Sequence, residues 1–178
     1  MASVSDIHVL VVDDNRQMRF LARCLLRAAG VNRVIDAENA EEAFEAMHRF
    51  KIDVILLDWK MAPMDGLSFA RIIRRSSSSP NPYVPILMMT AHTEASRVAA
   101  ARDAGVTGFL KKPVSARALF ERIQNALLDT RQFIQTDDFF GPDRRHALDP
   151  SYAGPFRRAL DRGARLETLD VDDLRNCA

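Results

Sequence analysis

The sequence predicts an α/β fold in which helices cover both faces of a parallel sheet. Short apolar runs, several rich in Val and Ile, alternate with stretches whose apolar residues recur at helical spacing. Five such strand-and-helix pairs follow one another along the chain. The apolar runs are continuous and do not alternate with polar residues, which is typical of strands that are buried on both faces.

Each predicted element has a local basis in the sequence. The predicted strands are Ile7–Val12, Arg33–Asp36, Val54–Leu57, Pro85–Met89 and Val106–Leu110. The predicted helices are Met18–Ala29, Ala40–Met47, Gly66–Arg74, Glu94–Ala104 and, after a capping Ser115, a last helix through Leu127. Gly30 and Gly105 follow two of the helices and are expected to end them.

Composition limits the class of protein. The formal net charge of +1 over 178 residues gives no basic field for nucleic acid. Two cysteines do not make a disulfide framework, the first residues lack a signal-peptide pattern, and no apolar run is long enough to span a bilayer. We therefore expect a cytoplasmic protein without membrane insertion, with one folded domain over residues 5–128.

The pattern of strands and helices stops after residue 128. Residues 129–178 are expected to form a largely irregular or disordered extension with two Gly-Pro-x-Arg-Arg repeats. The repeats make four arginines candidates for interaction: Arg144, Arg145, Arg157 and Arg158. They could grip RNA or another polyanion, with nearby aromatic residues stacking on bases. The extension has eight arginines but ten acidic residues, which favours a solvated or protein-docking segment over nucleic acid.

Polar residues stand where four of the predicted strands end. They are Asp13, Asp14, Asp58, Thr90 and Lys112. Because the carboxyl ends of parallel strands meet at one edge of the sheet, where ligands of such sheets bind, these side chains are expected to converge. Taken singly, each has a simpler explanation as a helix cap, a turn residue or a solvated side chain. Independent caps have no reason to converge in this order, so the set favours a functional site.

This set suits phosphoryl transfer to a carboxylate. A carboxylate repels an incoming phosphate, and a divalent cation removes much of that repulsion. Mg²⁺ prefers carboxylate, carbonyl and water oxygens, which Asp13, Asp14 and Asp58 would supply. A lysine and a threonine hydroxyl can stabilise further phosphoryl oxygens. The product on Asp58 would be an acyl phosphate that adds charge and acceptor oxygens, and so can act as a switch.

Residues 5–128 resemble the CheY-like receiver domain of bacterial two-component response regulators. Five stretches carry the resemblance: Val11-Val12-Asp13-Asp14, Leu56-Leu57-Asp58-Trp59-Lys60-Met61, Met64-Asp65-Gly66, Met89-Thr90-Ala91 and Phe109-Leu110-Lys111-Lys112-Pro113. The resemblance implies a flavodoxin-like (βα)5 fold with strand order 2-1-3-4-5, the order that is documented for CheY itself.

The resemblance also implies a role for each site residue. Asp58 would be the phosphoacceptor, and Asp14, Asp58 and the backbone carbonyl of Lys60 would bind Mg²⁺, with Asp13 acting mainly through water. Thr90 would be the switch hydroxyl and Lys112, which precedes a proline in an expected cis bond, would pair with the phosphoryl group. Phe109 would be either an aromatic that swings between two positions or an ordinary core residue.

Two departures from the family pattern leave questions open. The loop after Asp58 reads Met61-Ala62-Pro63-Met64-Asp65-Gly66, with its proline displaced by one position, so the backbone path is not fixed by the resemblance. The side chain of Lys60 can approach the phosphoryl group and alter its hydrolysis, in a direction that the sequence does not determine.

The predicted function is that of a single-domain response regulator in a phosphorelay. It would accept a phosphoryl group from a histidine kinase or a histidine phosphotransfer protein and catalyse only its own phosphorylation and dephosphorylation. A downstream protein is expected on the face formed by helix 4, strand 5 and helix 5. The alternative is a regulator whose paired arginines bind RNA or another polyanion under receiver control.

Overall fold

The computed structural model describes residues 6–91 and 95–143 and the backbone of residues 165–166, with no account of the side chains of residues 95–97. Strands and helices alternate through the first part of the chain. They are β1 (His8–Val12), α1 (Arg16–Ala28), β2 (Arg33–Ala37), α2 (Ala40–Arg49), β3 (Val54–Asp58), α3 (Gly66–Arg75), β4 (Ile86–Thr90), α4 (Ala95–Asp103), β5 (Gly108–Lys111) and α5 (Ala116–Leu127).

The first five strands form one parallel sheet in the order β2-β1-β3-β4-β5. This confirms the predicted α/β class and strand order. Val12 pairs with Leu57 and Asp58 pairs with Met89, so the carboxyl ends of β1, β3 and β4 lie side by side. The register therefore brings the polar residues at these ends to a single edge.

Two apolar cores lie on opposite faces of the sheet, because successive side chains of a strand point to opposite faces. Leu10, Ile55 and Met88 belong to the core that also contains Phe69 and Ile73 of α3. The other core contains Val9, Leu56 and Met89 with residues of α1 and α5. Every residue of β3 and β4 is buried, which explains why these strands are apolar without alternation.

Local signals in the sequence begin and end the helices. Ser115 caps α5 by accepting a hydrogen bond from the Ala118 N–H, as predicted. Gly105 follows α4 with a φ of 79°, and its N–H donates to the Arg102 carbonyl. The next amide, that of Val106, donates to the Ala101 carbonyl, which completes a Schellman motif. β5 begins at Gly108, two residues later than the apolar pattern predicted.

Residues 129–143, named the docked extension here, are the part of the predicted irregular extension that the structure describes continuously. It contains β6 (Phe133–Gln135) and β7 (Phe140–Pro142), which pair antiparallel. β8 (Arg165–Leu166) pairs with the other side of β6, giving a small sheet in the order β7-β6-β8. The domain boundary at residue 128 stays a prediction.

Aromatic and cationic contacts hold the docked extension against the first domain. The Tyr83 ring meets the rings of Phe133 and Phe140 edge-on, at centroid distances of 5.1 and 5.2 Å. The Arg74 guanidinium lies 5.3 Å from the Phe133 ring centroid. The backbones also approach closely, since a Cβ on Gly141 would lie 2.6 Å from the Cα of Gly105. These contacts join segments far apart in sequence, so no local pattern predicts them.

Arg74 is a buried cation that donates hydrogen bonds to backbone carbonyls. Its Nε donates to the Gly105 carbonyl at 3.0 Å and its Nη1 donates to the Pro82 carbonyl at 2.7 Å. Burial lowers the pKa of the guanidinium to about 9, so it still carries its charge at neutral pH. Arg74 thereby ties the end of α3 to the turn after α4 and to the loop before β4.

Candidate functional site

The candidate site lies at the carboxyl edge of the large sheet and is built by four strands. β1 leads into Asp13 and Asp14, β3 ends on Asp58, β4 ends on Thr90, and Lys112 follows β5 directly. Asp13, Asp58 and Thr90 are buried, although polar groups are costly to bury without partners. Asp14 is exposed at the mouth of the site.

The ammonium group of Lys112 joins two of the carboxylates. Its Nζ lies 2.7 Å from Oδ1 of Asp58 and 3.0 Å from Oδ2 of Asp13. The lysine is positioned from its own backbone, because the Lys112 N–H donates to the Thr90 carbonyl at 2.9 Å. Of the two neighbouring lysines, Lys112 was predicted to be the site lysine because a proline follows it directly. In the structure, the Lys112 amine contacts Asp58. The Lys112–Pro113 bond is cis, as expected.

Backbone amides hold three further carboxylate oxygens. The Asn15 N–H donates to Oδ1 of Asp13 at 2.9 Å, and the Lys60 N–H donates to Oδ2 of Asp58 at 3.0 Å. The Ala62 N–H donates to Oδ2 of Asp14 at 3.2 Å. Each carboxylate is therefore oriented before any ligand arrives.

Burial and charge act in opposite directions on the two central groups. Burial raises the pKa of Asp58 and the Asp13 charge adds to that rise, which together outweigh the lowering by Lys112. For Lys112, burial lowers the pKa, but hydrogen bonds to Asp58 and Asp13 and their charges outweigh it, so its pKa is raised. The lysine is thus held in its charged form beside an acid that is costly to ionise.

The three carboxylates fit a divalent cation. Asp13, Asp14 and Asp58 each offer one oxygen, and these oxygens all lie within 4.8 Å of one another. A donor set of carboxylate oxygens suits a hard ion such as Mg²⁺. Three acidic groups against the one ammonium of Lys112 leave excess negative charge for a cation to offset.

Two positioning residues were not identified as such from the sequence. Asn15 caps α1 with its side chain, which accepts from the Gln17 N–H, while its own N–H holds Asp13. Gly66 is the first residue of α3, and its backbone lies directly against that of Asp58. A Cβ at this position would lie 2.1 Å from the Asp58 carbonyl oxygen. The Asp65-Gly66 pair signals a turn, but that signal alone does not reveal the close approach to Asp58.

The other candidate residues fall in different places. Phe109 is half-buried and packs against the core on the α2 and α3 side of the sheet. The Lys60 side chain is exposed, and the displaced Pro63 follows a cis bond from Ala62. The four paired arginines lie outside the described residues: Arg144, Arg145, Arg157 and Arg158.

The fold and the site together define a class of protein. It is a flavodoxin-like α/β protein with an acidic cluster and a lysine at the carboxyl edge of the sheet. A family model of the response regulator receiver domain matches residues 9–124. The chain therefore belongs to the CheY-like receiver domain family of two-component response regulators.

Individual relatives agree with this assignment. The chain is 32% identical over 116 residues to the chemotaxis protein CheY of Pseudomonas aeruginosa, covering 65% of this chain and 92% of that protein. It is 30% identical over 131 residues to the sensory/regulatory protein RpfC of Xanthomonas campestris, covering 74% of this chain but 18% of that protein. Among solved structures, chemotaxis protein CheY4 of Vibrio cholerae matches with a TM-score of 0.63 and 31% identity, over 68% of this chain and 98% of that one.

Family membership carries general properties. Receiver domains bind Mg²⁺ in an acidic pocket and interact with histidine kinases or phosphotransfer proteins, and the Asp13, Asp14 and Asp58 cluster could hold a metal. None of the helices in the described part of the chain has the length and apolar character needed to cross a membrane.

Proposed function

We propose that this protein accepts a phosphoryl group on Asp58 and changes its protein contacts as a result. The observation that carries this proposal is the convergence of Asp58 Oδ1 and Asp13 Oδ2 on the Lys112 ammonium, at 2.7 and 3.0 Å. A lysine that served only to neutralise a structural acid would not need two carboxylates at the ligand-binding edge of the sheet. A phosphoacceptor site needs this combination of acids and a lysine.

The proposed transfer forms one bond and breaks one bond. A carboxylate oxygen of Asp58 attacks the phosphorus of a phosphohistidine, and the phosphorus–nitrogen bond breaks with its electron pair remaining on the imidazole. The product on Asp58 is an acyl phosphate. Mg²⁺ held by Asp13, Asp14, Asp58 and the Lys60 carbonyl would supply charge neutralisation for the phosphoryl oxygens when bound.

The residues of this chain prepare the attack. The Lys60 N–H fixes one oxygen of Asp58 while Lys112 contacts the other, so the carboxylate has a defined orientation. Once the phosphoryl group is in place, the Lys112 ammonium is the positive charge available to its oxygens. Because the phosphoryl group is received on the protein's own Asp58, the proposed catalysis is limited to the protein's own phosphorylation and dephosphorylation.

The switch residues lie on the two strands beyond β3. Thr90 stands one position past Met89, which pairs with Asp58, so its hydroxyl is proposed to bond the phosphoryl group. Thr90 pairs with Lys111 of β5, and Phe109 lies two residues before Lys111. A shift of Thr90 toward the phosphoryl group is therefore proposed to reach Phe109 through β5. The face of α4, β5 and α5 is the proposed contact surface for a downstream protein.

Phosphorylation with a small donor tests the proposal. The full chain is incubated with Mg²⁺ and phosphoramidate, and the products are separated on a phosphate-affinity gel. Wild type is expected to shift, whereas Asp58→Ala is not. Asp53→Asn is the matched control, because Asp53 lies just before the opposite end of the same strand and bonds the His8 N–H. Failure of wild type to shift, or an equal shift of Asp58→Ala, would overturn the proposal.

A further inference from the structure

The side chain of Arg19, on α1, reaches back to the backbone of the candidate site. Its Nη1 donates to the Asp13 carbonyl oxygen at 2.7 Å. The Arg19 side chain is only 13% exposed, so little solvent competes for this bond. The helix does not require the contact, because the Arg19 N–H already makes the ordinary helical bond to the Asn15 carbonyl at 3.0 Å. The guanidinium therefore serves the segment that precedes α1.

The bonded carbonyl belongs to the peptide group between Asp13 and Asp14. The other end of Asp13 is held as well, since its N–H donates to the Ala37 carbonyl of β2 at 3.3 Å. Because a peptide group is planar, a fixed carbonyl also fixes the direction in which the chain enters Asp14. The bond from Arg19 therefore acts on Asp14 through the backbone.

Asp14 needs this support more than the other two carboxylates of the cluster. Asp13 and Asp58 are buried, and both contact the Lys112 ammonium. Asp14 is exposed, and its bond from the Ala62 N–H, at 3.2 Å, is the longest of the three amide bonds to the cluster. Because three carboxylates whose oxygens lie within 4.8 Å repel one another, the exposed one would turn toward solvent if its backbone were free to move.

A second residue holds the Arg19 guanidinium in place. Oε2 of Glu38, in the loop between β2 and α2, lies 3.7 Å from Nη2 of Arg19. Glu38 is tied to α2 in turn, since its N–H donates to Oε2 of Glu42 at 3.0 Å. The ion pair is partly exposed, so its energy is small, but it offsets the positive charge of Arg19 beside a candidate site for a cation.

Arg19 has two opposite effects on the binding of a cation. Its charge repels Mg²⁺, so that effect alone would make Arg19 unfavourable for binding. Its bond to the Asp13 carbonyl holds Asp14 toward the cluster, which favours binding. Glu38 reduces the repulsion, and groups that orient metal ligands typically contribute roughly 10- to 100-fold to metal affinity. Positioning is therefore expected to outweigh repulsion.

We infer that Arg19 is a positioning residue for the metal site, acting through the peptide group between Asp13 and Asp14, with Glu38 as its counter-charge. The inference rests on the proposed function in taking the three carboxylates as a Mg²⁺ site. Arg19 contributes to the affinity for the ion and not to the phosphoryl transfer that follows its binding. Its removal therefore has different consequences at low and at saturating Mg²⁺.

A Mg²⁺ titration of the full chain, followed by the fluorescence of Trp59, tests the inference. We expect Arg19→Ala to raise the Mg²⁺ concentration at half-saturation about tenfold. At saturating Mg²⁺, its rate of phosphorylation by phosphoramidate should stay within about twofold of wild type, because the bound ion restores the site. Arg19→Lys keeps a positively charged donor and should recover most of the affinity. Unchanged or tighter Mg²⁺ binding by Arg19→Ala would overturn the inference.

Arg16→Ala is the matched control for charge. Arg16 is the first residue of α1, lies closer to Asp14 in sequence than Arg19 does, and has an exposed side chain. Its substitution removes the same charge from the same end of the helix and leaves the bond from Arg19 in place, so the affinity for Mg²⁺ should not fall. An equal fall in Arg16→Ala would show that the bond from Arg19 is not responsible, and would overturn the inference.

Glu38→Gln gives a second measurement that does not depend on the folding of Arg19→Ala. It removes the counter-charge and loosens the guanidinium, and both effects weaken Mg²⁺ binding. We expect a weakening of about threefold, the effect of one exposed ion pair. Glu41→Gln, which removes an exposed acid from the first turn of α2, is expected to bind Mg²⁺ like wild type. Equal effects of the two substitutions would overturn the inference.

The outcome is separable from that of the proposed function. If Arg19→Ala weakens Mg²⁺ binding but wild type is never phosphorylated, the inference about Arg19 stands and the proposed function fails. If wild type is phosphorylated and Arg19→Ala binds Mg²⁺ like wild type, the inference alone is wrong.

Discussion

Lys112 and Asp58 are 54 residues apart in sequence, yet the lysine Nζ lies 2.7 Å from the aspartate Oδ1. The contact crosses β4, since Asp58 ends β3 and Lys112 follows β5. It depends on the parallel register of three strands, and so on the fold as a whole. The same ammonium contacts Asp13, so one cation organises two of the three carboxylates.

Removing the Lys112 ammonium should slow phosphorylation of Asp58. We expect Lys112→Ala to lower the rate of phosphorylation by phosphoramidate by about 100-fold, the usual cost of losing one charge-stabilising donor at a reacting centre. The rate is measured by phosphate-affinity gel at fixed Mg²⁺.

Lys111→Ala is the matched control for this prediction. Lys111 is the neighbouring lysine and its side chain is exposed, so its removal should leave the rate within about twofold, as for other exposed surface positions. Equal losses in the two variants would show that the ammonium contact with Asp58 is not what matters.

Asp14 should control the affinity for Mg²⁺. We expect Asp14→Asn to weaken Mg²⁺ binding by about tenfold or more, because a carboxylate charge is removed from the cluster. Trp59, the single tryptophan of the chain, follows Asp58 directly, so its fluorescence can follow a Mg²⁺ titration. Asp65→Asn is a suitable control, since asparagine caps a helix as well as aspartate does. An unchanged titration for Asp14→Asn would remove Asp14 from the proposed metal site.

Any side chain at position 66 should destabilise the fold and disturb the end of β3. A Cβ at this position would lie 2.1 Å from the Asp58 carbonyl oxygen, so Gly66→Ala must move either α3 or the end of β3. We expect a loss of about 2 kcal/mol in the free energy of unfolding in urea, within the range for overpacked sites, together with slower phosphorylation. Ser68→Ala in the same helix should change neither quantity appreciably, and a wild-type-like Gly66→Ala would contradict the close approach seen here.

Arg74 should stabilise the docked extension. Arg74→Ala leaves the carbonyls of Gly105 and Pro82 without their donor and removes the contact with the Phe133 ring. We expect the free energy of unfolding to fall by about 2–3 kcal/mol, and amide exchange in β6 and β7 to become faster. The exposed Arg71→Ala serves as the control, for which no change is expected; protection of β6 and β7 that survives Arg74→Ala would show that the extension docks without Arg74.

The sequence was sufficient for the main fold because the relevant signals are local. Continuous apolar runs predicted β3 and β4, and Ser115 and Gly105 predicted the start of α5 and the end of α4. The docked extension could not be predicted in this way. Its strands are three residues long, and β6 depends on Tyr83 and Arg74, which lie 50 and 59 residues before Phe133.

The candidate site also has a part that the sequence predicted and a part that it did not. Residue types at strand ends predicted which side chains would converge, and the contacts of Asp13, Asp58 and Lys112 follow that prediction. The bond from the Asn15 amide to Asp13 and the close approach of Gly66 to Asp58 were not predicted. A residue type does not show which carboxylate its backbone amide will hold, or which carbonyl will lie against its Cα.

Chemical trapping of the acyl phosphate tests the central claim most directly. The full chain is phosphorylated with phosphoramidate and Mg²⁺, reduced with borohydride, which converts an aspartyl phosphate to homoserine, and analysed by tandem mass spectrometry of its peptides. We predict conversion at position 58, dependent on Mg²⁺. Conversion at another acidic position, or no conversion under conditions that phosphorylate a known receiver domain, would contradict the account.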